Sequence, residues 1–409
     1  MNNEELIPHL FRTEYRKIVA VLGKRFGLEQ LETAEDIASE TFLTAAQTWG
    51  LQGIPKNPTA WLYYVAKNKA KNFLQRSALF ANNVSPEITN ADTHQEEFEI
   101  DLSPQNINDS QLQMMIAICN PCLSPEAQIA LSLRILCGFG IEEIADAFLT
   151  NKEIINKRIF RAKEKVREEK INIGMDITDI DQYLDPVLRT IYLLFNEGYY
   201  SISQDKTMRK DLCLEAIRLC TMLIEYEPAN KPEVNALLAL MCFHISRFEA
   251  RLSKNGELVL YDEQDINLWN PDFISKGGYF LKRAASGNKL SKYHLEAGIA
   301  YWNTQKADSK EKWEGILQLY NQLLLLEYSP IAALNRTYAL GKVNGKKTAL
   351  AEAEKLKLND NHFYFTLLGE LYKDVDHEKS VANFQRALAL AKTEIDKRAI
   401  QKKLEKSPS

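Results

Sequence analysis

The 409-residue sequence predicts an all-α protein, and three observations support this fold class. Gly and Pro are few, at 17 and 13 residues, whereas turn-rich β folds use many more of both. Apolar residues recur at intervals of three and four along most of the chain, which is the period of an amphipathic helix. Hydrophobic residues make up 45% of the sequence, enough for sizeable cores in about two to four domains.

The composition also limits where the protein works and which groups it carries. With a net charge of -4, a nucleic-acid-binding protein must concentrate its cations on part of the surface. The N-terminus lacks a signal-peptide pattern and no run approaches about 18 apolar residues, so we expect a cytoplasmic protein that does not contact a membrane. Cys119 and Cys122 form a CxxC without further ligands nearby, so the sequence predicts reduced cysteines, no metal and no cofactor.

The first two predicted helices lie before residue 53. Residues 4–26 have helical periodicity, and Gly27 supplies a stop. The second helix is predicted to open at Thr33, with Asp36 in its first turn. Asp36 and Glu40 form an acidic ridge, which is either a solvated surface or a docking surface for a basic partner.

The third predicted helix is rich in cations. Asn57 is placed to cap it, and Pro58 occupies the first helical position, where a missing N–H costs nothing. Tyr64, Lys67 and Lys71 share one face, and the absence of acids between Glu40 and Glu87 leaves its cations unopposed. Such a face suits an unwound nucleic-acid strand, because bases stack on the ring and ammonium groups neutralise phosphates.

A change of composition then separates two predicted modules. No Lys or Arg occurs from Ser77 to Leu133, and residues 81–110 are polar and acidic, which predicts a flexible linker. A short apolar helix follows, and Ser124 with Pro125 opens the next one.

Residues 138–170 predict a helix-turn-helix with a basic second helix. Thr150 and Glu153 have the spacing of a capping box at the start of that helix. One apolar stripe is predicted to be buried, and it comprises Ile155, Ile159, Ala162 and Val166. The opposite side carries polar and cationic groups that suit the DNA major groove, although a solvated amphipathic helix has the same pattern.

The second half of the chain predicts a helical-repeat domain over residues 177–409. Helix follows helix there with short breaks. A tetratricopeptide-like pattern near the end comprises Leu368, Gly369, Tyr372, Ser380, Phe384 and Ala387. Because grooves in such repeats bind protein segments, we expect a regulatory extension.

Two polar clusters in this half are candidates for an enzyme site. They are NEGYYS, which contains Asn196, Glu197, Tyr199 and Ser201, and YDEQD, which contains Asp262, Glu263 and Asp265. Paired carboxylates can bind a cation or transfer protons. Since the sequence has no HExxH motif and no phosphate loop, we interpret the clusters as helix caps or regulatory contacts and predict no catalytic residue.

The first 170 residues resemble an extracytoplasmic-function (ECF) RNA polymerase sigma factor. The segments that carry the resemblance are AEDIASETFLTA, NPTAWLYYVAKNKAKNFLQR and LSPEAQIALSLRILCGFGIEEIADAF with RIFRAKEKVR. In that family, region two binds the polymerase clamp and melts the -10 element, and region four reads the -35 element. The segments YLLFNEGYYS, NGELVLYDEQDINLW and SPIAALNR also resemble the ECF subgroup with a C-terminal tetratricopeptide-like extension.

The resemblance implies a role for three sets of residues. The set expected at the polymerase clamp is Asp36 and Glu40. The set expected at the -10 strand is Tyr64, Lys67, Asn68, Lys71 and Arg76. The set expected at the -35 duplex is Lys152, Asn156, Lys157, Arg158 and Arg161. Ser39 stands where the family often has Gln, and Asn72 stands where it often has Asp.

The predicted domains are therefore region two over residues 1–80, the linker over 81–110, region four over 111–172 and the extension over 177–409. Expected partners are the RNA polymerase core, promoter DNA and a regulatory protein or small-molecule signal at the extension. Three function classes compete: a promoter-specificity subunit, a helix-turn-helix regulator with a sensory domain, and an enzyme fused to a DNA-binding head. The first requires both cationic surfaces, and this sequence has both.

Overall fold

The computed structural model describes residues 3–84, 99–148, 150–171, 180–200, 209–251, 253, 259 and 261–405. Within these residues all regular secondary structure is helical, which confirms the all-α fold class. The chain divides into two compact units, Met1–Leu193 and Leu194–Ser409. In the described part of the chain, no helix combines the length and the apolar character needed to cross a membrane.

The first unit contains seven complete helices in its described residues, and the next helix crosses the division between the units. The seven are α1 Asn3–Phe26, α2 Leu31–Gln52, α3 Pro58–Val84, α4 Pro104–Ile118, α5 Pro125–Leu131, α6 Ile141–Ala147 and α7 Lys152–Glu168. Helix α8 spans Asp181–Tyr200.

Helix α1 is the centre of the first unit, where it packs against α2, α3 and α4. Its side chains Tyr15, Ile18, Val19 and Leu22 are fully buried. Burying such a side chain stabilises the fold by about 1.5–3 kcal/mol, so this helix organises the core. The helix ends at Gly27, which has a positive φ of 87° and donates its N–H to the Gly23 carbonyl oxygen at 2.9 Å.

Two helix boundaries differ from the sequence predictions. Helix α2 begins at Leu31 and has no side-chain cap, so the predicted start at Thr33 is wrong. The reason is a 3-10 turn, Leu28–Gln30, that runs directly into α2 and buries Leu28. Helix α4 begins at Pro104 behind a Ser103 cap, inside the stretch predicted as linker, and residues 85–98 of that stretch lie outside the described residues.

The second unit is a succession of helices that starts with the end of α8. They are α9 Lys210–Glu225, α10 Pro232–Ser246, α11 Pro271–Ala284, α12 Lys292–Trp302, α13 Lys310–Leu326, α14 Pro330–Asn344, α15 Lys346–Leu356, α16 His362–Tyr372, α17 His377–Leu390 and α18 Glu394–Glu405. Helix α10 is almost entirely buried and packs against α9, α11 and α12.

From α13 onward each helix packs mainly on the helices next to it in sequence, as in a helical repeat. In the hairpin of α16 and α17, Gly369 lies against the Phe384 ring, and a Cβ added to Gly369 would lie 2.8 Å from it. The Ser380 hydroxyl donates to the Gly369 carbonyl oxygen at 2.8 Å. Gly369, Ser380 and Phe384 of the tetratricopeptide-like pattern therefore make contacts between the two helices of one hairpin. Membership of that repeat class stays a prediction.

Candidate nucleic-acid interface

The orientation of α3 is set by its cap and its apolar face. The Asn57 side chain accepts a hydrogen bond from the Ala60 N–H at 3.0 Å, at the predicted cap position. Leu62, Ala66 and Ala70 recur every four residues and are fully buried. The opposite side of the helix therefore faces solvent.

That outward side holds the residues predicted to contact a single strand. Tyr64 is 67% exposed, and Asn68, Lys71 and Arg76 are exposed as well. An exposed aromatic ring costs free energy in water unless a partner covers it, so its position between polar and cationic side chains suits base stacking.

The cations of α3 are less isolated than the sequence predicts. Lys67 lies 3.6 Å from Glu99, and Lys69 donates to Glu40 at 3.0 Å. Both acids come from other parts of the chain, which spacing along α3 cannot reveal. The interpretation of an unopposed cationic helix is therefore wrong for Lys67 and Lys69.

Helix α2 presents a second outward face on the same bundle. Asp36 and Glu40 are exposed, together with Leu43 at 59% and Leu51 at 90%. Both alternatives, a solvated helix face and a docking surface, fit two separate exposed leucines beside acids. Glu40 lies on this exposed face and also pairs with Lys69 of α3.

Helices α6 and α7 pack against each other and are joined by a short connection. Asn151 caps α7, since its side chain accepts from the Ile154 N–H at 2.9 Å, so the predicted Thr150 cap is wrong. Asn is as good a cap as Thr and lies one residue closer to the helix. The predicted apolar stripe from Ile155 to Val166 is buried.

The outward side of α7 carries most of the residues predicted for the DNA duplex. Lys152, Asn156, Lys157 and Arg161 are exposed, and Lys152 pairs with Glu142 on α6. Arg158 differs, because its guanidinium stacks on the Phe148 ring at 5.0 Å and the residue is half-buried. Arg158 thus supports the helix pair in this structure.

Glu35 holds two cationic side chains of the first unit in place, a role that the sequence analysis does not predict. This carboxylate on α2 is buried and pairs with Arg134 at 3.0 Å and with Lys163 of α7. Arg134 also donates to the Tyr15 hydroxyl at 3.4 Å, and burial together with the Glu35 charge raises the pKa of Tyr15. One sequence feature points to this role: Glu35 is an acidic residue on the apolar side of α2, which also carries Ala34 and Ala38.

Further ionic contacts join the same parts of the first unit. Arg12 of α1 pairs with Glu143 of α6 at 2.7 Å, and Arg167 of α7 donates to the Glu29 carbonyl oxygen at 3.5 Å. The sequence predicts two modules joined by a flexible tether. In the structure the two cationic helices belong to one compact unit, with their outward sides exposed.

The CxxC has the surroundings of structural cysteines. Cys119 is buried, and burial raises the pKa of its thiol to about 12. Across the described residues, no group of three or more His, Cys, Asp or Glu is arranged to hold a metal ion.

The two polar clusters of the second unit have structural contacts. Burial raises the pKa of Glu197, and Tyr199 lies under the Arg251 guanidinium at 3.9 Å. Asp265 accepts hydrogen bonds from the backbone and side chain of Asn267 at 2.9 Å, as a cap does. Ser201 lies outside the described residues.

Comparison with protein families gives two matches, one in each half of the chain. Residues 10–79 match Sigma-70 region 2, and residues 183–285 match a family of unknown function, DUF6596. The second match lies within residues 177–409, where the tetratricopeptide-like extension is expected, and names a different family, so that extension is not confirmed. No solved structure matches the chain.

Two curated proteins are similar to this chain. An uncharacterized protein, R00370, of Rhizobium meliloti (strain 1021) is 34% identical over 369 residues, 88% of this chain and 86% of the relative. The ECF RNA polymerase sigma-E factor of Haemophilus influenzae is 27% identical over 166 residues, 40% of this chain and 86% of the relative. With the Sigma-70 region 2 match, the second similarity supports a sigma factor as the class of this protein.

Proposed function

The chain belongs to the same family as the Rhizobium meliloti protein R00370, and we propose that it directs promoter-specific transcription initiation as an RNA polymerase sigma factor. The match of residues 10–79 to Sigma-70 region 2 carries this proposal. The polymerase supplies the chemistry of RNA synthesis, and this protein supplies promoter recognition. It would act in the cytoplasm, bound to the core enzyme and to promoter DNA.

In this proposal α3 holds the unpaired -10 strand. Tyr64 offers the ring on which a base stacks, while Lys67, Lys71 and Arg76 neutralise phosphates and Asn68 can hydrogen-bond a base edge. The exposure of Tyr64 between these side chains supports the assignment.

Helix α7 is proposed to read the -35 duplex as the second helix of a helix-turn-helix. Asn156, Lys157 and Arg161 lie on its outward side. Asn156, near the N-terminus of the helix, can reach a base edge, and the cations Lys157 and Arg161 further along can bind phosphates. Lys152 is placed for a phosphate once it leaves Glu142, and Arg158 joins the contact only if it leaves the Phe148 ring.

The outward face of α2 is proposed to dock on the polymerase clamp. Asp36 and Glu40 supply negative charge for a basic partner, and the exposed Leu43 supplies apolar contact area.

The second unit is proposed to regulate initiation in cis through a helical-repeat surface that binds a regulatory protein or responds to a small molecule. The similarity to the Rhizobium meliloti protein extends over 369 residues and so includes both halves of the chain. A regulator fused to its sigma factor would act in place of a separate partner protein.

Transcription reconstituted with core RNA polymerase over a promoter library tests the proposal. The full chain and a chain ending at Leu193 should both associate with core enzyme, and their transcription from the preferred promoter should differ. Ending at Leu193 keeps Thr190, whose hydroxyl donates to the Gln128 side chain at 3.1 Å within the first unit. Failure of both chains to bind core enzyme would refute the sigma assignment.

A second candidate is a helix-turn-helix regulator with a sensory helical-repeat domain, since the outward side of α7 alone would serve it. The purified chain would then bind promoter duplex tightly without polymerase. Binding that depends on core enzyme excludes this candidate.

A further inference from the structure

A cluster of cations surrounds one phenol ring in the second unit. Arg247 follows α10, Lys306 lies between α12 and α13, and Lys312 belongs to α13. Their charged groups lie 5.1, 5.1 and 4.9 Å from the centre of the Tyr261 ring. Cation–π attraction favours each contact, but the three like charges repel one another.

Two of the three cations are held by oxygen acceptors. The Lys306 ammonium donates to the carbonyl oxygens of Tyr261, Asp262 and Gln264 at 2.9, 3.4 and 3.2 Å, which uses its three N–H groups. Lys312 is almost fully buried and donates to the Gln305 carbonyl oxygen at 2.6 Å and the Tyr261 hydroxyl at 2.9 Å. One N–H of Lys312 is left for another acceptor.

Arg247 has no such partner. It is 8% exposed, and its guanidinium lies near the rings of Tyr261 and Trp269, at 5.1 and 5.8 Å. Among the described residues it makes neither an ion pair nor a side-chain hydrogen bond, and its Nε atom is buried without a partner. The indole Nε1 of Trp269, also 8% exposed, is likewise buried without a partner. Buried donors without an acceptor are rare in folded proteins and costly.

The described acidic groups act on Lys312 rather than on Arg247. Asp308 pairs with Lys342 at 3.1 Å and accepts from the Trp313 indole, and Asp262 is exposed. Burial lowers the pKa of Lys312, as do the charges of Arg247 and Lys306, whereas the carboxylates of Asp308 and Asp262 act in the opposite direction. Among the described residues the buried Arg247 forms no ion pair, so an anion would stabilise it.

We propose that Arg247, Trp269 and Lys312 bind the phosphate group of a small molecule. The free guanidinium fork can donate two parallel hydrogen bonds to phosphate oxygens, and the indole and the remaining ammonium N–H can donate two more. A dianionic phosphate attracts the cations around the Tyr261 ring more strongly than a single carboxylate does. Inorganic phosphate and phosphate monoesters share this chemistry, so the experiment includes both.

This binding does not depend on the proposed role in transcription, because it is measured on the purified full chain without polymerase. If the sigma assignment holds as well, the site would be the place where a small-molecule signal enters the second unit.

Isothermal titration calorimetry of the full chain with sodium phosphate, glycerol 3-phosphate and sodium citrate at constant ionic strength tests the proposal. We expect binding of at least one phosphate compound, and a loss of affinity of about tenfold or more in Arg247→Gln, which removes the charge-assisted pair. Trp269→Phe keeps the ring and removes the N–H, so it should weaken binding by a smaller factor. Arg283→Gln is the matched control, because Arg283 lies over the exposed Tyr279 ring at 5.8 Å and should bind phosphate as the parent chain does.

Thermal unfolding gives a second measurement that does not rely on heats of binding. Phosphate should raise the Tm of the parent chain and of Arg283→Gln but not that of Arg247→Gln. No binding of either phosphate compound at millimolar concentration overturns the proposal. So does equal binding by the parent chain and both site variants, or binding of citrate alone.

Discussion

The Lys163 ammonium group pairs with the buried Glu35 carboxylate, and this contact joins α7 to α2 within the first unit. Arg134 shares the same carboxylate at 3.0 Å. Lys163 therefore serves the packing of the unit, although its place on a basic helix makes it look like a DNA contact. Lys157 and Arg161 of the same helix are exposed on its outward side.

Glu35→Gln should destabilise the first unit, because Arg134 and Lys163 would keep their charges and lose the carboxylate. We expect a loss of about 2 kcal/mol in the free energy of unfolding, measured by urea denaturation. Glu40→Gln is the control, because its pair with Lys69 is exposed and should contribute within about 0.5 kcal/mol. Equal effects of the two substitutions would contradict the role of Glu35.

Lys157→Ala and Arg161→Ala should each weaken use of the -35 element, since both side chains are exposed on the outward side of α7. Each lost phosphate contact should make the negative slope of log affinity against log salt shallower by about 1. The measurement is holoenzyme binding to promoter DNA over a salt series. Lys282→Ala, an exposed lysine on α11, should leave that slope unchanged.

Tyr64→Ala should reduce formation of the open promoter complex, because a stacked base contributes about 1–3 kcal/mol. Permanganate footprinting of the melted -10 region measures the loss. Tyr64→Phe keeps the ring and should form the open promoter complex nearly as well as the parent protein does. If Tyr64→Phe reduces the melting of the -10 region as much as Tyr64→Ala does, the hydroxyl matters more than stacking and the proposed mode of binding is wrong.

His244 should make the second unit less stable in acid. Burial, with the charges of Arg247 and Arg251, lowers the pKa of His244 to about 3, below its ordinary value of 6.5. Since the unfolded chain binds the proton more tightly, stability present at pH 7 is lost as the pH falls below about 6.5, with about 1–2 kcal/mol gone by pH 5. Urea denaturation at pH 7 and 5 measures this, and His244→Asn should reduce the difference. The exposed His9, changed to Asn, should leave it unaltered.

Gly369→Ala should destabilise the hairpin of α16 and α17, because the new Cβ would lie 2.8 Å from the Phe384 ring. We expect a loss of about 1–3 kcal/mol from overpacking. At Gly278 of α11 an added Cβ meets nothing within 4 Å, so Gly278→Ala should instead stabilise its helix by about 0.5–1 kcal/mol. Thermal unfolding of the two variants should therefore shift in opposite directions.

Residue type and spacing predict the helix ends and buried faces of the first unit well where these depend on neighbouring residues. The Asn57 cap, the Gly27 stop and the buried stripe of α7 follow from residue type and spacing, and the structure has all three. The cap at Asn151 was missed because Thr150 with Glu153 also fits a capping box, and only the backbone path decides between neighbouring caps.

Contacts between distant residues could not be predicted in the same way. Nothing in the spacing of α3 indicates that Glu99 reaches Lys67, or that Glu40 reaches Lys69. The cluster around Tyr261 draws on four separate segments, so the approach of its three cations to one ring is visible only after folding.

The sequence by itself determined that the chain is helical, where most helices lie and which faces of α3 and α7 carry cations, because helix periodicity and capping depend on residues within one turn of each other. The tertiary structure decided which of those charges are free. Glu35 pairs with Lys163 inside the first unit, and the Nε atom of Arg247 is buried without a hydrogen-bond acceptor. The physical reason is that charge pairing depends on distance in space, and folding brings together residues that lie more than a hundred positions apart in the chain.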